Sequence, residues 1–288
     1  MGYHYHEIFK HVATKVHALI GFQDDETDAL YLNMIKNLSP GNDYTFQQMM
    51  MEYLTEFQVK RFFFYHRYLW CHNGFHAKKS GDSLIVTEVN ADTRLVVGDS
   101  IMKMSQDDIK VLNTRYAKLL YYDDDLSQDW SHIIEKQSQM TVLRGDQTYE
   151  FDVQQFMQLP DNSVKQYNGY IVVTIYNFDE HVAYDHNCPV ILDLRYARGI
   201  TPQTYHADVI LISAQTKGSA EFFIQHSGIK TVGERSFGAA NRFETLTFDN
   251  FVFVYGLDKE GEVIPDEWIN DEAEHDFILD RAKSIVLS

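Results

Sequence analysis

Near the start of the chain, Ile8, Val12, Val16 and Leu19 recur at the spacing of one helix face, the period an amphipathic helix imposes on its buried positions. The breaker SPGND (39–43) closes that stretch. A longer helix is predicted from about Thr45, with Met50, Leu54 and Phe57 on one face. The dense aromatic run Phe62–Trp70 continues it and reads as core. Residues 1–70 thus read as helical.

After Lys79 the pattern shifts to short apolar runs. LIVTEV (84–89) and SIMKM (100–104) read as strands. QDDIKVLNTRYAKLL (106–120) reads as a helix with Asp107 and Asp108 in its first turn, where the helix dipole favours negative charge. A short helix around Trp130–Lys136 leads to strands at 139–144 and 148–154, joined by a GDQ turn. From Tyr170 the runs become nearly continuous: YIVVTIYNF (170–178), PVILDL (189–194) and DVILIS (208–213). Such runs suit strands covered on both faces, as in an α/β layer. Only about a dozen residues separate Leu194 from Asp208, and TPQTYHA does not read as the usual crossover helix. That helix is expected to be missing or vestigial.

At 288 residues the chain suits one large or two modest domains around a buried core. The net charge is 25 − 42 = −17, with no compact basic stripe, so nucleic acid and anionic membrane surfaces are poor partners. MGYHYHEIFKHV lacks the apolar core of a secretory signal, and no run approaches the ~18 apolar residues of a membrane span. The expected compartment is the cytoplasm, with Cys71 and Cys188 reduced. Two isolated cysteines make neither a disulfide framework nor a zinc site. His72 and His76 stand four apart, but Gly74 weakens a helix between them and no HExxH is present. No metal and no cofactor is expected. The chain also lacks a Walker loop, a GxGxxG after a strand and a GxSxG elbow.

The candidate chemistry lies in the last third. VILDLRYARG (190–199) reads as a strand entering a glycine-ended turn. VILISAQTKGSAEFFIQ (209–225) reads as a strand, a small-residue turn and a helix opening at about Gly218. TVGERSFG (231–238) and GEVIPDEWI (261–269) complete the series. A strand that delivers a serine to the first turn of a helix exposes a nucleophile where free N–H groups and the helix dipole can stabilise an oxyanion.

The order and wording of these segments resemble the core of the C-terminal processing (tail-specific) and tricorn-core serine peptidases. LVVGDSI (95–101) resembles the "V…GD.I" of the PDZ-like module that these peptidases carry upstream. The resemblance implies an α+β protein with an N-terminal helical segment (1–78), an inserted PDZ-like β-rich module (79–158) and a C-terminal α/β, ClpP/crotonase-like peptidase core (159–288). PDZ modules add an extended peptide to a sheet edge and hold its carboxylate on backbone N–H groups; the corresponding loop here is expected around Gly81–Leu84, in different wording.

By the same resemblance Ser219 is the nucleophile, His76 of NGFH (73–76) the base, and Glu260 its orienting partner, with Asp258 as a substitute. Backbone around Gly199, Gly218 and Ala220 forms the oxyanion and substrate-binding positions. The chain departs from the pattern at three places. Aligned through Glu221, the serine position falls on Gly218, and a one-residue shift at a helix start turns a side chain by about 100°. SFGAA (236–240) places Ala239 where tail-specific proteases have a lysine. DLRYARG places Ala197 and Arg198 where an asparagine and a glycine are usual. On the residues alone, Ser219 also suits a helix-capping role, His76 an ordinary surface histidine, and Gly199 a plain turn.

Two functions follow. One is a serine peptidase that hydrolyses peptides or unstructured protein tails by acyl transfer, without metal or cofactor. The other is a catalytically inactive relative that binds peptides or proteins. Either admits an oligomer.

Overall fold

The computed structural model describes residues 4–69, 71–121, 128–157, 160–185, 187–201, 203–258, 261–269 and 276–288. Helix α1 (Tyr5–Ile20) buries Ile8, Val12 and Val16, the face marked by their spacing. It ends at Gly21, whose φ of 81° makes a left-handed cap. Helix α2 (Asp25–Lys36) starts at Asp24, whose carboxylate accepts the Thr27 N–H at 3.0 Å. Helix α3 (Asp43–Thr55) buries Phe46, Met50, Tyr53 and Leu54. The aromatic run beyond it is not helical. It forms strand β1 (Phe62–His66) with alternate residues buried, because aromatic side chains pack well on a pleated, half-buried surface.

An antiparallel sheet follows, built from β2 (Phe75–Ser80), β3 (Ser83–Val89), β4 (Ser100–Met104), β6 (Gln139–Arg144) and β7 (Gln147–Asp152) in that spatial order. A two-residue strand, β5 (Asp107–Asp108), pairs with β4. That pairing delays the predicted helix, so α4 (Ile109–Arg115) begins only after Asp108. With α5 (Ser131–Glu135) it covers one sheet face, burying Leu84, Val86, Ile101, Leu112, Trp130 and Ile133 together. The stretch around Gly81 is a tight hairpin turn, with Ser80 opposite Ser83 and Gly81 at φ 57°. Leu84 lies in the core rather than in an open loop. Asp99, also buried, accepts Arg144 Nε and Nη2 at 2.7 Å each and the Val96 N–H at 3.0 Å. That clamp accounts for the GD wording.

The C-terminal sheet combines β8 (Ser163–Gln166), β9 (Ile171–Thr174), β10 (Val190–Asp193), β11 (Val209–Ile212), β12 (Lys230–Gly233) and β15 (Glu267–Trp268), in the order β15-β12-β11-β10-β9-β8. All neighbours are parallel except β8 with β9. The apolar runs divide by alternation. Leu192, Ile210 and Ile212 pack with Ala220 and Ile224 of helix α6 (Ser219–Ser227). Ile191, Val209 and Leu211 pack with Ile278 and Ala282 of helix α7 (Phe277–Val286) on the opposite face. Among the described residues between Leu194 and Asp208 there is no helix. Tyr205 and Ala207 from that coil pack into the α6 layer instead.

The hairpin β13 (Phe243–Phe248) and β14 (Phe251–Gly256) leaves this sheet and pairs with β1 in the order β1-β14-β13. Phe251 and Phe253 thereby join Phe9, Val12, Phe46 and Phe64 in one core. The N-terminal helices are therefore packed against the far end of the chain.

The middle sheet is bonded to the C-terminal one by a buried ion pair. Lys78 Nζ on β2 donates to Glu234 Oε1 and Oε2 at 2.7 and 2.6 Å, just past β12. Removing one member leaves an uncompensated buried charge. Lys78→Met is expected to cost about 3–5 kcal/mol in urea unfolding, and Lys78→Met with Glu234→Leu markedly less than Lys78→Met alone. Equal costs for the single and double variants would contradict this account.

Candidate functional site

The turn between β11 and α6 is pinned before it reaches Ser219. Thr216 Oγ1 donates to Leu194 O at 2.8 Å and accepts the Ser213 N–H at 3.0 Å. The chain then runs alongside Ala197–Gly199: Lys217 N–H donates to Ala197 O at 2.9 Å, and Ser219 N–H to Gly199 O at 3.0 Å. Arg198 faces the other way, its N–H donating to Tyr176 O at 3.1 Å and its carbonyl accepting the Phe178 N–H at 2.9 Å. The segment expected to frame an oxyanion hole is thus a short strand between two others. The Ser219 N–H is already committed.

Gly218 has φ 67° and ψ −125°, a region that side-chain-bearing residues enter only with strain. A Cβ there would lie 2.5 Å from Gly199 O. Gly199 is equally constrained, since its Cβ would lie 2.8 Å from Asp179 Oδ1 and 2.9 Å from Phe178 Cβ. Both glycines are required by close backbone approach. Ser219 follows as the first residue of α6 and Ala220 as the second, both buried.

Glu221 holds this turn to the next loop. Its carboxylate accepts the Gly218 N–H at 2.9 Å, half of a capping box, and also the Gly238 and Ala239 N–H groups at 2.7 and 2.9 Å. Burial pushes its carboxyl up to about 7, against hydrogen bonds from Ser236, Gly238, Gly218 and Ala239 that favour the charged form. Ala239 is buried there by its own N–H bond. The ammonium groups nearest this loop come from elsewhere: Lys60 Nζ donates to Phe237 O at 2.9 Å, and Lys217 Nζ lies 4.6 Å from the centre of the Phe237 ring.

His76 sits on β2 opposite Glu88, stacked on Tyr196 at 4.1 Å. Its Nε2 is 4.0 Å from Glu88 Oε2, and its Nδ1 is buried without a partner. Burial pushes the imidazole down to about 3, with Arg198 and Lys217 adding to the shift against Asp129. A group so reluctant to take a proton is a weak general base at neutral pH. Among the described residues no hydrogen bond joins His76 to Ser219, and Ser219 does not line the cavity beside His76. Glu260 lies outside the described residues. Asp258 forms an exposed pair with Arg242 at 2.9 and 3.0 Å.

Several partners around His76 carried no signal in the sequence. Asp129 pairs with Lys217; burial opposes its ionisation, but Lys217 and the Ser131 N–H hold it well below the usual carboxylate range. Tyr176 Oη donates to Glu88. Burial pushes the Glu88 carboxyl up to about 7. The Glu221 role alone was accessible, from the acidic residue three places after Gly218. Among the described residues no group of three or more His, Cys, Asp or Glu could hold a metal ion, and no helix is long and apolar enough to cross a membrane.

No family model matches the sequence, and no curated protein matches it. Solved structures do. Mature CPAF superposes with a TM-score of 0.55 at 9% identity, over 98% of this chain and 95% of that one. CPAF complexed with lactacystin gives 0.53 at 11% identity, over 98% and 96%. The tricorn protease gives 0.41 at 10% identity, over 99% of this chain and 36% of that one. The chain has the mixed helix-and-sheet fold of these serine-peptidase-like structures.

Two outcomes follow from this geometry. Gly218→Ser, which restores a serine at the family's position, is expected to lower stability by about 2 kcal/mol or more in urea unfolding, because its Cβ meets Gly199 O; an unchanged midpoint would refute the close approach. Glu88 and Glu221 both have folded values raised above the carboxylate norm of 4.5. The folded state therefore binds more protons than the unfolded state between about 4.5 and 7, and stability falls as pH rises through that window. Urea midpoints measured across it should decline, and Glu88→Gln should flatten the decline.

Proposed function

We propose that this chain binds peptides or unstructured protein tails in the cleft of a serine-peptidase fold without cleaving them. The observation that carries this reading is Gly218. The backbone there has the sharp strand-to-helix turn on which a nucleophile is presented, yet no side chain fits against Gly199 O. The neighbouring Ser219 N–H, which an oxyanion hole needs free, is bound to that same carbonyl. The depressed imidazole of His76 supports the reading further. Acyl transfer needs a nucleophile, a base and free donors together.

On this reading residues 79–158 act as the PDZ-like unit of the family that the sequence resembles. Support comes from the antiparallel sheet covered by α4 and α5 and from the buried Asp99 clamp at GD. Peptide capture then falls to a sheet edge and the old cleft, not to the Gly81 turn.

Exposure of the purified protein to a fluorophosphonate probe is expected to give no labelling, and a mixed peptide pool is expected to remain intact by mass spectrometry. Labelling that disappears in Ser219→Ala, or hydrolysis lost in the same variant, would establish the peptidase reading instead.

A further inference from the structure

Beside the Ala197–Gly199 segment lies a cavity of about 20 Å³, larger than the roughly 10–15 Å³ that one water-sized group requires. Asn73, His76, Asn90, Glu135, Tyr196 and Arg198 line it. Two observations mark it as built for a ligand. The first is a surplus of acceptors: Asn73 Oδ1 and Asn90 Oδ1 are buried without a hydrogen-bond partner. Asn73 is only 2% exposed, and its orientation is held by Nδ2 donating to Ser131 O at 2.8 Å. Buried polar atoms left unpaired each cost about 1–3 kcal/mol. The second is a free cation. Among the described residues the Arg198 guanidinium has no hydrogen-bond or ion-pair partner, although its backbone is fixed on both sides.

We propose that this cavity binds an α-carboxylate together with the N–H group on the same α-carbon, the carboxylate on Arg198 and the N–H on Asn73 Oδ1 and Asn90 Oδ1. An anion with a donor one carbon away satisfies both halves of the site. A guanidinium fork matches a carboxylate with two parallel donors. Glu135 adds a negative charge at the same wall, which suits an ammonium or amide N–H and opposes a simple inorganic anion. Two sources present this chemistry: a free amino acid and the last residue of a peptide. The inference rests on the preceding reading of the cleft as a binding site that does not cleave. It is specific to this chain through Arg198.

The test titrates the full chain, by calorimetry, with the common free amino acids, with a pool of short peptides bearing free C-termini, and with the same pool amidated. Binding is expected to weaken at least about tenfold on amidation and in Arg198→Gln. Amidation is expected to have no further effect in that variant, since the two changes remove one contact. The amidation arm needs no mutation, so it decides the question even if Arg198→Gln folds poorly. Binding of free amino acids assigns the first source, and binding of the free-acid peptides the second; either upholds the proposal. Peptide binding indifferent to amidation and to Arg198 overturns it while leaving the non-cleaving cleft intact. Cleavage of the pool overturns the cleft reading itself. Failure of every probe at millimolar concentration reduces the cavity to a water site and overturns the proposal.

Discussion

The Glu221 carboxylate accepts N–H groups from both the start of α6 and the 236–240 loop, and the path of the cleft depends on that double hold. The Gly218 amide is one of the donors a helix N-terminus leaves unsatisfied. The Gly238 and Ala239 amides belong to a loop with no strand partner of its own. One buried acceptor satisfies all three and so sets the angle between helix and loop. With that angle set, residues 217–219 run beside 197–199, and the carbonyls of Ala197 and Gly199 take the free amides. Burial of the carboxyl is unfavourable by itself, as its raised value shows. The hydrogen bonds offset that cost.

The scaffold and the cleft have followed different constraints. Parallel strands with α6 on one face and α7 on the other keep the layer that the solved neighbours share. Such a layer tolerates sequence change so long as apolar volume is conserved, which fits identities of 9 and 11%. A reactive cleft is less tolerant, because it must keep donors unsatisfied and aimed at a charge that forms only in the transition state. Here the donors are satisfied by the chain's own carbonyls. The coil that replaces a crossover helix before β11 allows 197–199 to lie close enough to do so. Arg198, freed from any turn, presents its side chain to the cavity beside His76.

Much of the fold was legible where local pattern and final environment agree. The face of α1, the doubly covered β10 and β11, the start of α6 at Gly218 and the lack of a crossover helix all follow from residue order. The reading failed where a distant partner decides. Phe62–His66 continued a helical texture on paper, but β14, nearly two hundred residues later, makes it a strand. Asp107 and Asp108 looked like a first helical turn until β4 paired with them. Gly81–Leu84 resembled an open loop, and the Ser80–Ser83 register closes it into a hairpin. In the site, the serine displacement and the loss of lysine at Ala239 were visible as letters, whereas the partners Asp129, Glu88 and Glu234 were not.

By itself the sequence determined periodicity, the positions where only glycine fits a turn, and the absence of a serine at the turn's apex. These are properties of neighbouring residues, set by backbone sterics and by the spacing of apolar side chains. The tertiary structure alone decided that Gly199 O stands against Gly218, that His76 is buried among positive charges, and that Arg198 lacks a counter-charge. Those are distances between segments far apart in the chain. They depend on how layers pack and which buried groups find partners, and no local pattern encodes them.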